Sequence, residues 1–147
     1  MSSDVSKVLV VALSATAICV GPASAATRGS GWTAKADAAC KASNAKVIAA
    51  FGGHPTVPTS RVSMFRFMVK IRPLEVSRLN TLKAIPSPPA GAEKAFALAR
   101  SDIAELDAAM AAYRDGNSAA FGREATAWWN DQRAGRAFAA LGAKSCI

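Results

Sequence analysis

The sequence has little of what enzymes and metal sites usually need. It contains one histidine and three cysteines in 147 residues. Nucleophilic catalysis by serine or cysteine requires a base beside the nucleophile, and a structural zinc site takes four nitrogen or sulfur ligands. The histidine, His54, stands in "GGHPTVP", where the glycines and prolines indicate a solvated loop. We therefore expect no catalytic residue, no metal and no cofactor, and predict that the protein is not an enzyme.

Motifs for nucleotide, haem and acid–base chemistry are also missing. The sequence has no P-loop, no G-x-G-x-x-G and no C-x-x-C-H. Acidic residues are scarce, ten against eighteen Lys and Arg, for a net charge of +8. Asp102, Glu105 and Asp107 stand close together, but helical spacing puts them on the polar side of their helix. A solvated face is the interpretation we adopt for them.

A hydrophobic run long enough to span a bilayer is missing as well. "VLVVALSATAICV", residues 8–20, is followed by a Gly-Pro break and small residues at Ala23 and Ala25. Thirteen residues are too few for a transmembrane helix, which needs about 20. The order is that of a secretory signal peptide cleaved after Ala25. The alternative, a lipoprotein anchored at Cys19, is disfavoured because "TAIC" lacks the leucine and small residue of a lipobox.

The predicted organisation follows from that cleavage. Residues 1–25 are the signal peptide, 26–31 a flexible leader, and 32–147 one domain. We expect a secreted, periplasmic or envelope-associated product. Two cysteines then remain, Cys40 and Cys146, and in an exported chain they usually form one disulfide. Free thiols or an intermolecular bridge are the alternatives.

Aromatic residues make up only 7% of the chain and alanine is abundant, which favours helices over strands. Apolar repeats separated by breakers predict four helices: 32–51, 60–85, 88–115 and 119–141. Thr59 or Ser60 is the predicted cap of the second helix, and Ser87 is that of the third. "MFRFMVKIR" also alternates like a strand, and Pro73 is expected to kink or split the second helix. The short connections predict an all-α, up-down-up-down four-helix bundle closed by one disulfide.

Three segments carry a resemblance. "AACKASNAKV", "LNTLKAIPSPPAGAEKA" and "ALGAKSC" resemble those of a loose group of small secreted bacterial helical proteins. The resemblance covers residues 33–147 and rests on short, alanine-flanked motifs. It implies a Cys40–Cys146 disulfide and no particular activity. The second helix of this chain is unusually basic for that group.

That second helix is the most informative feature for function. Six cations between residues 61 and 83 stand against one acid. We predict that five of them bind an anionic partner, either an anionic lipid or a cell-envelope polymer. These are Arg61, Arg66, Lys70, Arg72 and Lys83. Packing of the helix against two neighbours, with the basic stems at its edges, is the structural alternative. We expect no nucleic-acid partner, and the sequence does not reveal the oligomeric state.

A ligand carrier is the second functional hypothesis. Met64, Met68 and Met110 could hold a hydrophobic molecule, haem or copper between helices. The same methionines fit the apolar core equally well. Trp128 and Trp129 are neighbours about 100° apart on a helix. They could serve in packing or in stacking on a ligand.

Overall fold

The computed structural model describes residues 23–147, with side chains from Gly31 onward. Over this range the protein is all-α, as predicted. The strand alternative for "MFRFMVKIR" is wrong, because these residues lie within a helix. The elements are α1 (Ala23–Phe51), α2 (Arg61–Lys83), α3 (Ala92–Arg114), α4 (Ser118–Asn130), α5 (Arg133–Ala140) and the 3-10 turn η1 (Lys144–Cys146).

The predicted signal peptide falls almost wholly on residues 1–22, which lie outside the described residues, as does Cys19. Within residues 23–147, no helix combines the length and apolar character that a bilayer span requires.

The first two helices agree with the sequence pattern at three of their four ends. α1 ends at Phe51 before Gly52, as predicted, but it begins at Ala23. The predicted leader 26–31 is therefore helical, because no proline interrupts the alanine-rich stretch. Ser60 caps α2 in a reciprocal arrangement with Ser63. α2 continues through Pro73 as one helix, so it is not split there.

The start of α3 differs from the prediction. The helix begins at Ala92, four residues after Pro88. Ser87 has φ 58° and Gly91 has φ 91°, so the chain turns through left-handed conformations before the helix can start. Ser87 is therefore part of the turn and does not cap α3.

The predicted fourth helix is wrong as a continuous element. It divides into α4 and α5 at Asp131 and Gln132. Asp131 is extended (φ −94°, ψ 99°), and its Oδ1 accepts a hydrogen bond from the Arg133 backbone N–H at 3.1 Å. A short polar side chain that bonds to a nearby amide competes with helix continuation. α5 can then change direction and pack against α3.

Two apolar clusters form the core. The first surrounds the disulfide and joins Trp32 of α1, Leu82 of α2, Phe96 of α3 and Phe138 of α5. The second joins the first half of α2, the second half of α3 and α4, and Met68, Leu106 and Phe121 are among its buried members. α3 packs against α2, α4 and α5, whereas α1 packs against α2 and η1. α3 is thus the central helix of the described part of the chain.

The chain terminus is fixed to α1. Cys40 and Cys146 form the predicted disulfide, with their Cα atoms 5.0 Å apart. Beside it, the Ser145 N–H donates to Asp37 Oδ1 at 2.7 Å and Asn44 Nδ2 donates to the Ser145 carbonyl at 2.9 Å. The hydrogen bond from Ser145 lowers the pKa of Asp37. Covalent and polar contacts together hold η1 against the first helix.

Gly135 allows α5 to approach this segment. A Cβ built on Gly135 would lie 2.7 Å from the Cys146 carbonyl oxygen, a backbone atom that cannot rotate away. We predict that Gly135→Ala lowers the free energy of unfolding by about 1–3 kcal/mol, the range of overpacking. Chemical denaturation under non-reducing conditions measures it.

The matched control is Gly122→Ala. Gly122 lies within α4 with nothing within 4 Å of its built Cβ. We expect it to raise stability by about 0.5–1 kcal/mol, because alanine costs less entropy in a helix. Equal effects of the two substitutions would contradict the close approach of α5 to η1.

Candidate ligand-binding cavity

A cavity of about 280 Å³ lies between α2, α3, the α4–α5 junction, α5 and η1. A dry cavity of about 150 Å³ in another protein holds a benzene ring, so this volume suits a molecule of one or two rings. The apolar part of the lining comprises Phe67, Ile71, Leu79, Leu82, Ile103, Trp128, Trp129 and Phe138. The polar part comes from α1, α2, α3 and the α4–α5 junction.

Three aromatic rings form one wall. Phe67 lies 6.1 Å from Trp128 and 5.4 Å from Trp129, measured between ring centroids, and the two indoles are 6.1 Å apart. The break after Asn130 ends α4 directly beyond the tryptophans, which are both half-buried. Their position in the lining is compatible with both roles considered for them, packing and stacking on a ligand.

Asp102 contributes an incompletely compensated charge to the lining, although the Ala134 backbone N–H donates to its carboxylate. Its side chain is only 19% exposed, and Oδ1 is buried without a hydrogen-bond partner. Arg133 Nη2 lies 3.9 Å from that oxygen, but it is much closer to Glu105 Oε1, at 2.6 Å, and its Nε contacts Asp131. Burial, reinforced by the charges of Glu105 and Asp131, raises the pKa of Asp102 to about 6. One guanidinium is thus shared among three carboxylates.

Glu75 is the second acid of interest. Its Oε2 lies 3.4 Å from Arg78 Nη1, a long contact. Arg78 directs its shorter bonds elsewhere: Nε donates to Ser43 Oγ at 3.0 Å and Nη2 donates to Asn44 Oδ1 at 2.7 Å. Burial raises the pKa of Glu75. Since Asn44 also donates to Ser145, a chain of polar contacts connects the cavity to the segment around the disulfide.

The sequence interpretation of the α3 acids is wrong for Asp102 and Glu105. Both are largely buried, because α5 folds over this side of α3 and brings Arg133 to it. Of the three acids, only Asp107 is exposed to solvent as the sequence interpretation expects. It is 43% exposed and accepts two hydrogen bonds from Arg72, at 2.5 and 2.8 Å, which lower its pKa.

A signal for this arrangement is present in the sequence. The inward apolar repeat of the predicted fourth helix stops after Trp128 and resumes at Phe138. The gap contains Asn130, Asp131 and Gly135, residues typical of a turn.

The five α2 cations do not share one surface. At 100° per residue, Arg61, Arg72 and Lys83 lie on one side of the helix, and Arg66 and Lys70 on another. On the first side, Arg61 donates to Ser118 and lies over the rings of Tyr113 and Phe121, and Arg72 binds Asp107.

The second side is more open. Arg66 is exposed, and Lys70 is exposed with its ammonium 4.8 Å from the Phe51 ring centroid. The neighbouring Val62 and Val69 are 45% and 47% exposed. This side of α2 therefore combines cations with accessible apolar area, while Arg61 and Arg72 already have partners within the chain.

The methionines do not line the cavity. Met68 and Met110 are buried and Met64 is partly buried, all in the second apolar cluster. Among the described residues, no group of three or more His, Cys, Asp and Glu side chains is arranged to hold a metal ion. The cavity lies closer to the tryptophans than the carrier hypothesis anticipated.

Comparison with known proteins brings no further guide to function, since no family model, curated protein or solved structure matches the chain.

Asp102 generates a prediction about stability and pH. Its pKa is raised in the folded state, so its contribution to stability is fully present below its ordinary value of 3.8 and is lost as the pH rises to about 6. We predict that Asp102→Asn, without ligand, raises the free energy of unfolding at pH 8 by about 1–2 kcal/mol. Urea denaturation at a series of pH values measures the difference. It should shrink towards zero near pH 4, and a difference independent of pH would contradict the burial of this charge.

Proposed function

We propose that the protein is a non-enzymatic, exported binding protein that holds a small, largely apolar molecule in the cavity. The observation that carries the proposal is the cavity itself, whose lining includes three neighbouring aromatic rings and the incompletely paired carboxylate of Asp102. Concave, mostly apolar sites with a few polar groups are the usual form of small-molecule sites. The ligand we propose lies beside Trp128 and Trp129.

A packing defect is a poorer explanation of this space. Protein interiors are close-packed, and an empty apolar volume costs stability in proportion to its size. Here Asp102, which lines the space, also has a buried oxygen without a hydrogen-bond partner. The cavity and the unpaired carboxylate oxygen each lower stability, and finding both at one place is typical of a functional site.

The rest of the proposal concerns the setting of the protein. We propose cleavage near Ala25 and a secreted, periplasmic or envelope-associated location, which the disulfide supports weakly. We also propose an up-down-up-down order of helices, in which the last segment comprises α4 and α5. Kinship with small secreted bacterial helical proteins is a proposal that rests on the three quoted segments.

Filling the cavity tests the proposed function. Ala99 lies in the lining, and Ala99→Leu would occupy part of the space. We expect (naphthalen-1-yl)methanol, a neutral probe, to bind saturably in isothermal titration calorimetry, with a Kd on the order of 0.1 mM. The substitution should weaken that binding at least tenfold, because it removes the volume that the ring occupies.

Ala104→Leu is the matched control. It adds the same side chain to an exposed position of α3 and should change the Kd less than about twofold. If the probe does not bind, or if Ala99→Leu leaves its binding unchanged, the cavity is not the site and the proposed function fails.

A second candidate function is docking on an anionic membrane surface through α2. The observation that favours it is the exposure of Val62 and Val69 beside Arg66 and Lys70. Apolar side chains can enter the headgroup region while the cations bind anionic lipid. Arg61, Arg72 and Lys83 lie on the other side of the helix. They would strengthen membrane binding only through the overall positive electrostatic field of the protein.

The double variant Arg66→Glu, Lys70→Glu tests this docking. We expect the wild-type protein to co-sediment with phosphatidylglycerol vesicles at low salt and to dissociate as salt rises, and the variant to lose most of this binding. The control is Lys94→Glu, Arg100→Glu, which changes the net charge equally on exposed positions of α3. Equal loss in both variants would indicate attraction by net charge alone and would reject a docking face on α2.

A further inference from the structure

Resting on the proposed function, we propose that the ligand of the cavity is a cationic amphiphile: a primary ammonium group attached to an apolar ring or short chain. Asp102 and Glu75 recognise the ammonium, and the aromatic wall takes the apolar part. This assigns a chemical class to the ligand and separate roles to the acidic and the aromatic residues of the lining.

The charges of the lining point to a cation. Three carboxylates line the cavity, those of Glu75, Asp102 and Asp131, against the single guanidinium of Arg78. The chain as a whole has the opposite balance, with eighteen cations and ten acids. An acidic lining in a basic protein is therefore a local property of this cavity. Buried carboxylates disfavour an anionic ligand, which would add like charge in a medium of low dielectric.

The hydrogen bonds point to a donor. Asp102 Oδ1 is buried and accepts no hydrogen bond, and Glu75 has only the 3.4 Å contact with Arg78. The Ala134 backbone N–H donates to the Asp102 carboxylate, so what remains open is its Oδ1, and Glu75 has no closer donor than Arg78. A protonated primary amine brings three donors and no acceptor, so it can donate to these acids without adding a lone pair that needs a partner. A hydroxyl brings only one donor.

The cations already present cannot fill this role. Arg78 is committed to Ser43 and Asn44 of α1 at 3.0 and 2.7 Å. Arg133 is engaged by Glu105 and Asp131 and stays 3.9 Å from Asp102. A ligand ammonium would compensate the carboxylate charge that these two guanidinium groups do not neutralise. The indoles of Trp128 and Trp129 are the best aromatic partners for a cation that lies near them.

A matched pair of probes tests the inference. (Naphthalen-1-yl)methylamine and (naphthalen-1-yl)methanol share one ring system and differ in the ammonium group. Isothermal titration calorimetry at about pH 7.5 and low salt gives both Kd values. We expect the amine to bind wild-type protein tighter by about tenfold to a hundredfold, the range for a hydrogen bond to a charged group.

Asp102→Asn and Glu75→Gln then locate the recognition. Each should reduce the preference for the amine at least fivefold and leave the Kd of the alcohol nearly unchanged. Asp102→Asn is expected to fold stably, as argued above, so loss of amine binding in that variant cannot be attributed to unfolding. Retention of the full preference in both variants would overturn the assignment of these acids.

The outcomes separate the two proposals. If amine and alcohol bind equally and Ala99→Leu weakens both, the cavity is a ligand site but the cationic class is wrong. If neither probe binds, both proposals fail.

Acidification provides an independent check. We expect amine affinity to fall between about pH 7.5 and pH 5 as Asp102 takes up a proton, and alcohol affinity to stay constant. The charged groups around it are Glu75 and Arg78 from α2, Glu105 from α3, Asp131 from the α4–α5 junction and Arg133 from α5. Asp102→Asn should flatten the profile. An unchanged slope in that variant would assign the titration to another of these groups and contradict the role given to Asp102.

Discussion

The attachment of the C-terminal segment to α1 is the constraint on which the cavity depends. α1 packs against α2 and η1, and η1 in turn packs against α5. The Cys40–Cys146 disulfide therefore closes a loop of 106 residues that contains every other described helix. Cross-links over long loops remove much of the entropy of the unfolded chain. Cys146 lies in the cavity lining, so the same bond that stabilises the fold also holds one wall of the proposed site in place.

Arg133 shows how far the protein goes towards neutralising the acids around the cavity. Its guanidinium faces three carboxylates, and its closest contacts are to Glu105 and Asp131. A cation in full contact with Asp102 would pair that carboxylate and leave no role for a ligand cation. A carboxylate without a cation of its own destabilises the ligand-free fold but makes binding of a cation more favourable. The geometry is thus poor for stability alone and well suited to recognition, a balance that recurs at binding sites.

Local patterns in the sequence predict the helices but not the site. The repeat from Phe96 to Tyr113, the Ser60 cap and the cysteine pair depend on neighbours in the chain or on compartment chemistry, so they are accessible without a structure. The position of Asp102 is different. It becomes buried only because the chain breaks at Asp131 and α5 folds back over α3. Periodicity within α3 places this residue on the polar side, and nothing in α3 itself reveals that another helix covers that side. A side-chain-to-backbone hydrogen bond accompanies the break and competes there with a helical pattern that is favourable on both sides.

The two proposed surfaces are coupled through charge. A net charge of +8 produces a positive field around the protein, which opposes the approach of a cationic ligand to the cavity. At physiological ionic strength salt screens that field beyond about 8 Å, so the field still acts over a distance comparable to that between neighbouring helices. An anionic membrane bound to Arg66 and Lys70 would neutralise part of the field and also concentrate organic cations near its surface. Docking through α2 would then assist loading of the cavity without any change in the conformation of the protein. In solution, the same ligand would face the whole positive field, and its association would become faster as salt is added, opposite to the salt dependence of membrane docking.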